Sequence, residues 1–237
     1  MIEQERVAVI TGATGNLGSV VARSLGEQGL RLALFGTNAE RLERLSSELK
    51  LPEDKVLTVA FDFTTPEAAQ GAADAVLEKF GRVDILVHLV GGWTGGKAVA
   101  DVPASDVSDM LDQHLWTTFY LGQAFIPPLV ANGWGRILVV SSPLASSPPA
   151  NMGPYVVGKA AQEALIMSMA KEVAGSGVTA NILQVRAIDA KHERDLEPSS
   201  KNANWTTPEE INTAMLYLFS NEAHVVNGAR IPLYGGG

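Results

Sequence analysis

The sequence predicts an α/β fold: a doubly wound, seven-stranded parallel sheet flanked by helices. Three observations predict it. Short β-branched apolar runs alternate with stretches of helical periodicity along the whole chain, as strands joined by crossover helices require. The first run ends in a glycine-spaced turn, Gly12-Ala-Thr-Gly15-Asn-Leu-Gly18, directly before a helical pattern. The run Val83 to Val90 is almost continuously apolar, as a strand covered on both faces must be.

Arg6 to Thr11 is the first strand. The glycines after it let the backbone approach a diphosphate, and the helix that opens there offers unpaired N–H groups and its positive dipole end. The spacing is GxxGxxG rather than GxGxxG, and a turn that only packs strand on helix is the alternative. Leu32 to Phe35 is the second strand, followed by Gly36, Thr37 and Asn38 and a helix through Leu42, Leu45 and Leu49. In dinucleotide folds an acid at the end of this strand binds the adenosine 2′-hydroxyl. No acid stands here, and Gly36 with Thr37 and Asn38 leaves room and donors for a 2′-phosphate, with Arg41 nearby. NADP is therefore favoured over NAD.

Val56 to Phe61 is the third strand, with Asp62 at its end and a helix from about Pro66 to Phe80, proline suiting a first helical turn. The fourth strand, Val83 to Val90, ends in Gly91-Gly-Trp-Thr-Gly-Gly96, at the strand end where open α/β sheets bind ligands. Trp93 there is either a substrate contact or a packing residue. A long helix from about Ala104 to Ala131 carries His114 and Trp116, with Pro127-Pro128 bending or ending it. Gly135 to Val140 is the fifth strand, ending at Ser141-Ser142, and Pro143 to Ala150 is a loop. The helix from about Met152 to Ala174 is apolar on far more than one face, which implies a partner subunit. Val178 to Leu183 is the sixth strand. Asp189 to Asn204 is polar and expected to be mobile, and Trp205 closes it. Thr207-Pro-Glu-Glu210 reads as a capping box for a helix to about Ser220, and the last strand lies near Ala229 to Leu233, before Tyr234 and three glycines.

The bulk numbers bound the function. With 237 residues, 46% hydrophobic, and no break in composition, residues 1–237 are expected to form a single domain. Lys plus Arg number 18 against 26 Asp plus Glu, a net charge of −8 without a basic stripe, so no nucleic-acid partner is expected. The absence of cysteine excludes disulfides and thiol chemistry and suits a cytoplasmic setting. The charged start Met1 to Arg6 lacks an apolar signal core, and no membrane partner is expected. The four histidines, at 88, 114, 192 and 224, show no metal-ligand spacing.

Tyr155 and Lys159 stand four apart on one helix face, so an ammonium beside a phenol favours the ionised phenol and tunes a proton donor toward neutral pH. With this order established, the chain resembles the short-chain dehydrogenase/reductase family over almost its entire length. The resemblance rests on the Thr11-Gly12 turn, Asp62, Ser142 and Tyr155-xxx-Lys159, with support from Asn181 and Asn227-Gly228. It implies a Rossmann-type fold and an NAD(P)(H)-dependent oxidoreductase that reduces a carbonyl, or oxidises an alcohol, of a small substrate. Tyr155 would be the general acid/base, its pKa of about 10 lowered by Lys159 and the nicotinium charge. Ser142 would hold the substrate oxygen, Lys159 would also bind the nicotinamide ribose, and Asp62 would contact adenine. Cofactor contacts are implied for Gly12, Thr14, Gly15, Asn16, Leu17 and Gly18, for Gly36, Thr37 and Asn38, for Asp62 and Phe63, and for Val90, Gly91, Lys159 and Val185.

The chain also departs from that pattern. Asn16 stands at the usual middle glycine, and His88-Leu-Val-Gly91 replaces Asn-Asn-Ala-Gly. His114 replaces a helix asparagine that holds a proton-relay water, either as a relay itself or as a structural histidine. Val185-Arg186 replaces Pro-Gly. Residues 91 to 96, Gln113 to Thr117 and Asn204 to Pro208 resemble segments of dihydropteridine reductases and bacterial reductases near them, implying a planar substrate against Trp93 or Trp205. That group uses an acid for NADH and lacks the serine at 142, so pterin does not follow. The expectation is a homo-oligomer, dimer or tetramer, with a substrate loop at about 187–206; the alternative is a dinucleotide-binding regulatory protein with lost or weak catalysis.

Overall fold

Seven parallel strands order as β3-β2-β1-β4-β5-β6-β7 in the computed structural model, which describes residues 2–234. Met1 and the three glycines after Tyr234 lie outside the described residues. The strands are β1 (Val7–Thr11), β2 (Arg31–Gly36), β3 (Val56–Ala60), β4 (Ile85–His88), β5 (Gly135–Ser141), β6 (Val178–Gln184) and β7 (Arg230–Pro232). The helices are α1 (Asn16–Glu27), α2 (Ala39–Leu49), α3 (Pro66–Phe80), α4 (Ala104–Leu111), α5 (Thr117–Ala131), α6 (Gly153–Glu172), the short α7 (Glu193–Leu196) and α8 (Pro208–Leu218).

Alternate strand residues enter opposite layers, as the two-residue repeat dictates. Val7, Val9, Phe35, Leu86 and Val139 pack with α3, α5 and α6 on one face. Ala8, Ile10, Leu34, Val87 and Leu138 pack with α1, α2 and α8 on the other. A fully buried side chain such as Phe35 contributes about 1.5–3 kcal/mol, so the two layers give the sheet its rigidity. The order reverses between β1 and β4, whose ends pair Thr11 with His88, and the crevice outside their carboxyl ends is where such sheets take ligands.

One expectation is corrected. The long helix is not uniform: Asp112–Trp116 is a π-helical turn between α4 and α5. α5 ends at Ala131 as expected, with Pro127 and Pro128 inside it; buried Phe125 and Leu129 on either side pin this last turn, so the missing proline donors are tolerated. The polar segment 187–206 carries α7 and its own anchors. The buried Asp189 carboxylate accepts from the Glu193 and Arg194 N–H groups, each at 2.8 Å, and buried Asn202 bonds the backbone of Ser199, Glu193 and Glu197. The capping box is present, with the Thr207 hydroxyl accepting from Glu210 N and the Glu210 carboxylate from Thr207 N.

Candidate active site

The glycine turn leaves β1 at Gly12, whose φ of +67° is the left-handed conformation glycine adopts without strain. A Cβ on Gly18 would lie 2.3 Å from the Gly12 carbonyl oxygen, so only glycine lets α1 rise so close to the loop. No acidic residue occupies the first turn of α1, leaving its N–H groups and dipole open to an anion. This turn walls one end of a cavity of about 320 Å³ whose other walls include Val90, Gly91, His114, Ser141, Tyr155, Lys159, Val185 and Arg186.

Tyr155 and Lys159 reach that cavity from α6 because Gly158 lets the helix press against the π-turn. A Cβ at 158 would stand 2.7 Å from Met110 O and 3.0 Å from the His114 ring. Lys159 is buried and donates to Val140 O at 2.8 Å and to Gln162 Oε1 at 3.0 Å. An ammonium only donates, so the Gln162 amide has one possible orientation. Its Nε2 donates to Thr118 Oγ1 at 2.9 Å, and that hydroxyl donates to the His114 carbonyl at 2.6 Å. A parallel chain leaves the same π-turn: Thr117 Oγ1 donates to Gln113 O at 2.7 Å and meets His88 Nε2 at 3.2 Å, while His88 Nδ1 meets Thr11 Oγ1 at 2.7 Å. Because the Thr117 proton goes to a carbonyl, His88 carries its proton on Nε2 and accepts from Thr11. The wider i→i+5 turn offers carbonyls to side chains, and here it joins two strand ends and α6 through threonines.

The electrostatics follow from this burial. Desolvation, then the Lys159 charge, then His114 push His88 down to about 3. Desolvation and Lys159 bring His114 to about 3 as well, against the opposing Gly92 carbonyl, which faces His114 Nε2 at 3.0 Å. That carbonyl fixes the proton on Nε2, and His114 Nδ1 is a bare acceptor with no partner among the described residues. His114 is therefore neutral at physiological pH. Burial lowers Lys159 to about 8, with Glu163 acting in the opposite direction.

Tyr155 corrects the expectation of a phenol tuned toward neutrality. Burial raises its pKa above the ordinary tyrosine value, and only the Ser142 hydrogen bond opposes this. Lys159 sits on the same face of α6, but two of its three N–H bonds are spent on Val140 and Gln162. Desolvation therefore dominates.

The other anticipated residues are distributed unevenly. Ser142 is buried beside Tyr155 and also caps Leu144 N at 3.3 Å. Asn38 uses its side chain to cap α2 at Arg41 N, 2.9 Å. Thr14 and Asn16 line a second cavity, of about 310 Å³, with Arg23, Arg41, Arg44 and Glu48. Asp62 accepts from Thr64 N and Oγ1 in an exposed turn, and the Phe63 ring lies in the core against Phe35. Trp93 is 61% exposed and does not line the main cavity. Trp205 lines a neighbouring one of about 300 Å³ with Tyr234 and Arg194. Gln162, Thr117 and Thr118 were not anticipated. The signal available was Gln162 itself, a polar residue three after Lys159 and so on the same side of the helix.

A family model described as short chain dehydrogenase matches residues 6–201. An uncharacterized oxidoreductase of Staphylococcus epidermidis is 27% identical over 222 residues, covering 94% of each chain. The 7alpha-hydroxysteroid dehydrogenase of Escherichia coli is 28% identical over 241 residues, covering 98% of this chain and 94% of its own. A short-chain type dehydrogenase/reductase from Mycobacterium ulcerans superposes with a TM-score of 0.90 at 26% identity, covering 100% of this chain and 90% of its own. A variant of actinorhodin polyketide ketoreductase solved with NADPH shares the fold, with a TM-score of 0.86 at 24% identity, over 99% and 98% of the two chains. Among the described residues, no helix is long and apolar enough to cross a membrane, and no cluster of three or more metal-ligating side chains occurs.

Proposed function

The chain belongs to the short-chain dehydrogenase family, an NAD(P)-dependent oxidoreductase family, and from that premise we propose that it reduces a small carbonyl compound, or oxidises the matching alcohol, with Tyr155 as the acid/base. The carrying observation is the convergence of the glycine turn, the Lys159 ammonium and the Tyr155 phenol on one cavity. Its residues suit a dinucleotide: a loop with no room for a Cβ at Gly18 and a left-handed backbone at Gly12 lies at a helix N-terminus, and the unpartnered buried atoms Ser141 Oγ and His114 Nδ1 are both on wall residues. A nicotinamide bound there supplies a hydride to the substrate carbon. Tyr155 gives its proton to the substrate oxygen, Ser142 orients that oxygen, and Lys159 uses its remaining N–H toward the phenol and the ribose. Burial keeps the Tyr155 phenol in its protonated form, the form that donates to the substrate oxygen.

The second cavity supports NADP. Arg23 and Arg44 both lie near Glu48, at 2.8 and 3.9 Å, whereas Arg41 has no carboxylate partner among the described residues and stays available to a 2′-phosphate. The homo-oligomer reading is supported by an apolar groove between α5 and α6, lined by Phe119, Ile126, Leu165 and Met169, near exposed Trp116 and Val157. Tyr155→Phe tests the central assignment: turnover of NADPH with a carbonyl panel is abolished while NADPH affinity, measured by fluorescence, changes little. Equal turnover in the variant would remove Tyr155 from the chemistry. Separate NADH and NADPH titrations test the second cavity, and a preference for NADH would overturn that assignment.

A further inference from the structure

The chain is rich in acid, 26 residues against 18 basic, and most of its arginines find a carboxylate. Among the described residues three do not: Arg41, Arg136 and Arg186. Arg136 is buried and spends its N–H groups on the carbonyls of Gly135, Gly177 and Ser220. Arg41 lines the cavity at the adenosine end. Arg186 lines the reaction cavity, and none of its N–H groups has a hydrogen-bond partner among the described residues.

The surroundings of Arg186 narrow what it is free for. No carboxylate lines the reaction cavity, and with His114 neutral and Tyr155 protonated, its charged side chains are Lys159 and Arg186. Lys159 is held by Val140 and Gln162, so Arg186 is the uncommitted cation. Its guanidinium carbon lies 5.3 Å from the centre of the Tyr234 ring, and Tyr234 walls the adjoining cavity with Trp205. In that cavity Arg194 is already neutralised by Glu210 at 2.7 Å. A guanidinium resting on an aromatic face keeps its edge open for paired hydrogen bonds to an oxyanion.

We propose that Arg186 recognises an oxyanion on the substrate, so that the carbonyl compound reduced here carries a carboxylate or a comparable acid group. This rests on the reading of the main cavity as the reaction site. The cofactor diphosphate offers the same oxyanion chemistry, but the glycine turn and the N-terminus of α1 already form its cradle, whereas Arg186 leans toward Tyr234 and the segment 187–206. An aromatic carbonyl acid would combine that ion pair with the adjacent rings.

The test compares 4-carboxybenzaldehyde with its uncharged methyl ester, using wild type and Arg186→Gln. Wild type prefers the acid in kcat/KM. The variant loses about tenfold on the acid, the low end for a charge-assisted hydrogen bond because the site is open to water. It changes about twofold or less on the ester and in NADPH affinity. A parallel loss on both aldehydes, or no preference in wild type, overturns the proposal. A loss of NADPH affinity instead assigns Arg186 to the diphosphate and overturns it too. If neither aldehyde turns over, the assigned chemistry fails separately, and binding decides: benzoate and benzamide are titrated calorimetrically into protein saturated with NADP⁺. Selective benzoate binding, weakened in the variant, supports the oxyanion site; equal or absent binding of the two overturns it.

Discussion

Replacing His88 by Asn should make the protein more resistant to acid. His88 is fully enclosed, donates from Nε2 to Thr117 and accepts at Nδ1 from Thr11, and protonates in the fold only near pH 3. In the unfolded chain an imidazole titrates near 6.5. Between these values the unfolded state binds the extra proton, so stability falls as pH drops from about 6.5 toward 3 and is fully present above that window. At pH 5 such a site has cost about 2 kcal/mol relative to pH 7.5. An asparagine can accept from Thr11 and does not titrate, so the variant should escape this loss. Carboxylates and His114 titrate in both proteins and cancel in the comparison. Urea unfolding at about pH 7.5 and about pH 5, at one protein concentration, measures it. The wild type should lose about 2 kcal/mol more than His88→Asn. An equal loss would mean that His88 accepts a proton within the fold.

Two further variants probe the setting of Lys159. Gln162→Leu removes one of its two protein acceptors, so the ammonium is less favoured and Lys159 falls below about 8. The alkaline limb of the pH–rate profile should move down by roughly one unit, with kcat falling more than KM changes. Gln162→Glu should move it back up, and an unmoved limb in both variants would leave Gln162 with packing alone. Gly158→Ala places a Cβ 2.7 Å from Met110 O, and overpacking of this kind costs about 1–3 kcal/mol. A lower melting temperature and reduced turnover are expected, and an unchanged melt would show that α6 and the π-turn are not in firm contact.

Much of the scaffold was legible because it depends on local chemistry. Strands covered on both faces read as continuous apolar runs; Pro66 and the Thr207–Glu210 box mark helix starts wherever they occur, and both do so here. Other features depend on partners distant in the chain. The π-turn has the same apolar rhythm as an α-helix, and its distinguishing marks are the use of its carbonyls by Thr117 and Thr118 and the close approach of Gly158. The anchors within Asp189 to Asn204 were not legible, because side chain to backbone bonds such as those of Asp189 and Asn202 leave no periodic trace. Tyr155 shows the same limit: spacing identifies its neighbour, whereas enclosure decides the direction of its pKa.

The π-turn also determines which changes of chain length this protein can absorb. Each residue added to or removed from a helix rotates the downstream part of that helix by about 100° and shifts it by about 1.5 Å. Deleting one residue within Asp112–Trp116 would let the turn relax to an ordinary α-helix with its two sides nearly in phase. The carbonyls of Gln113 and His114 would return to the helix's own N–H groups, which disturbs the threonines that bond them and, through these, the contacts to His88 and Gln162. Substitutions in this stretch can be judged one side chain at a time, whereas a single-residue deletion acts on both networks at once. Drift by insertion and deletion should therefore collect in the surface connections and leave this five-residue count intact.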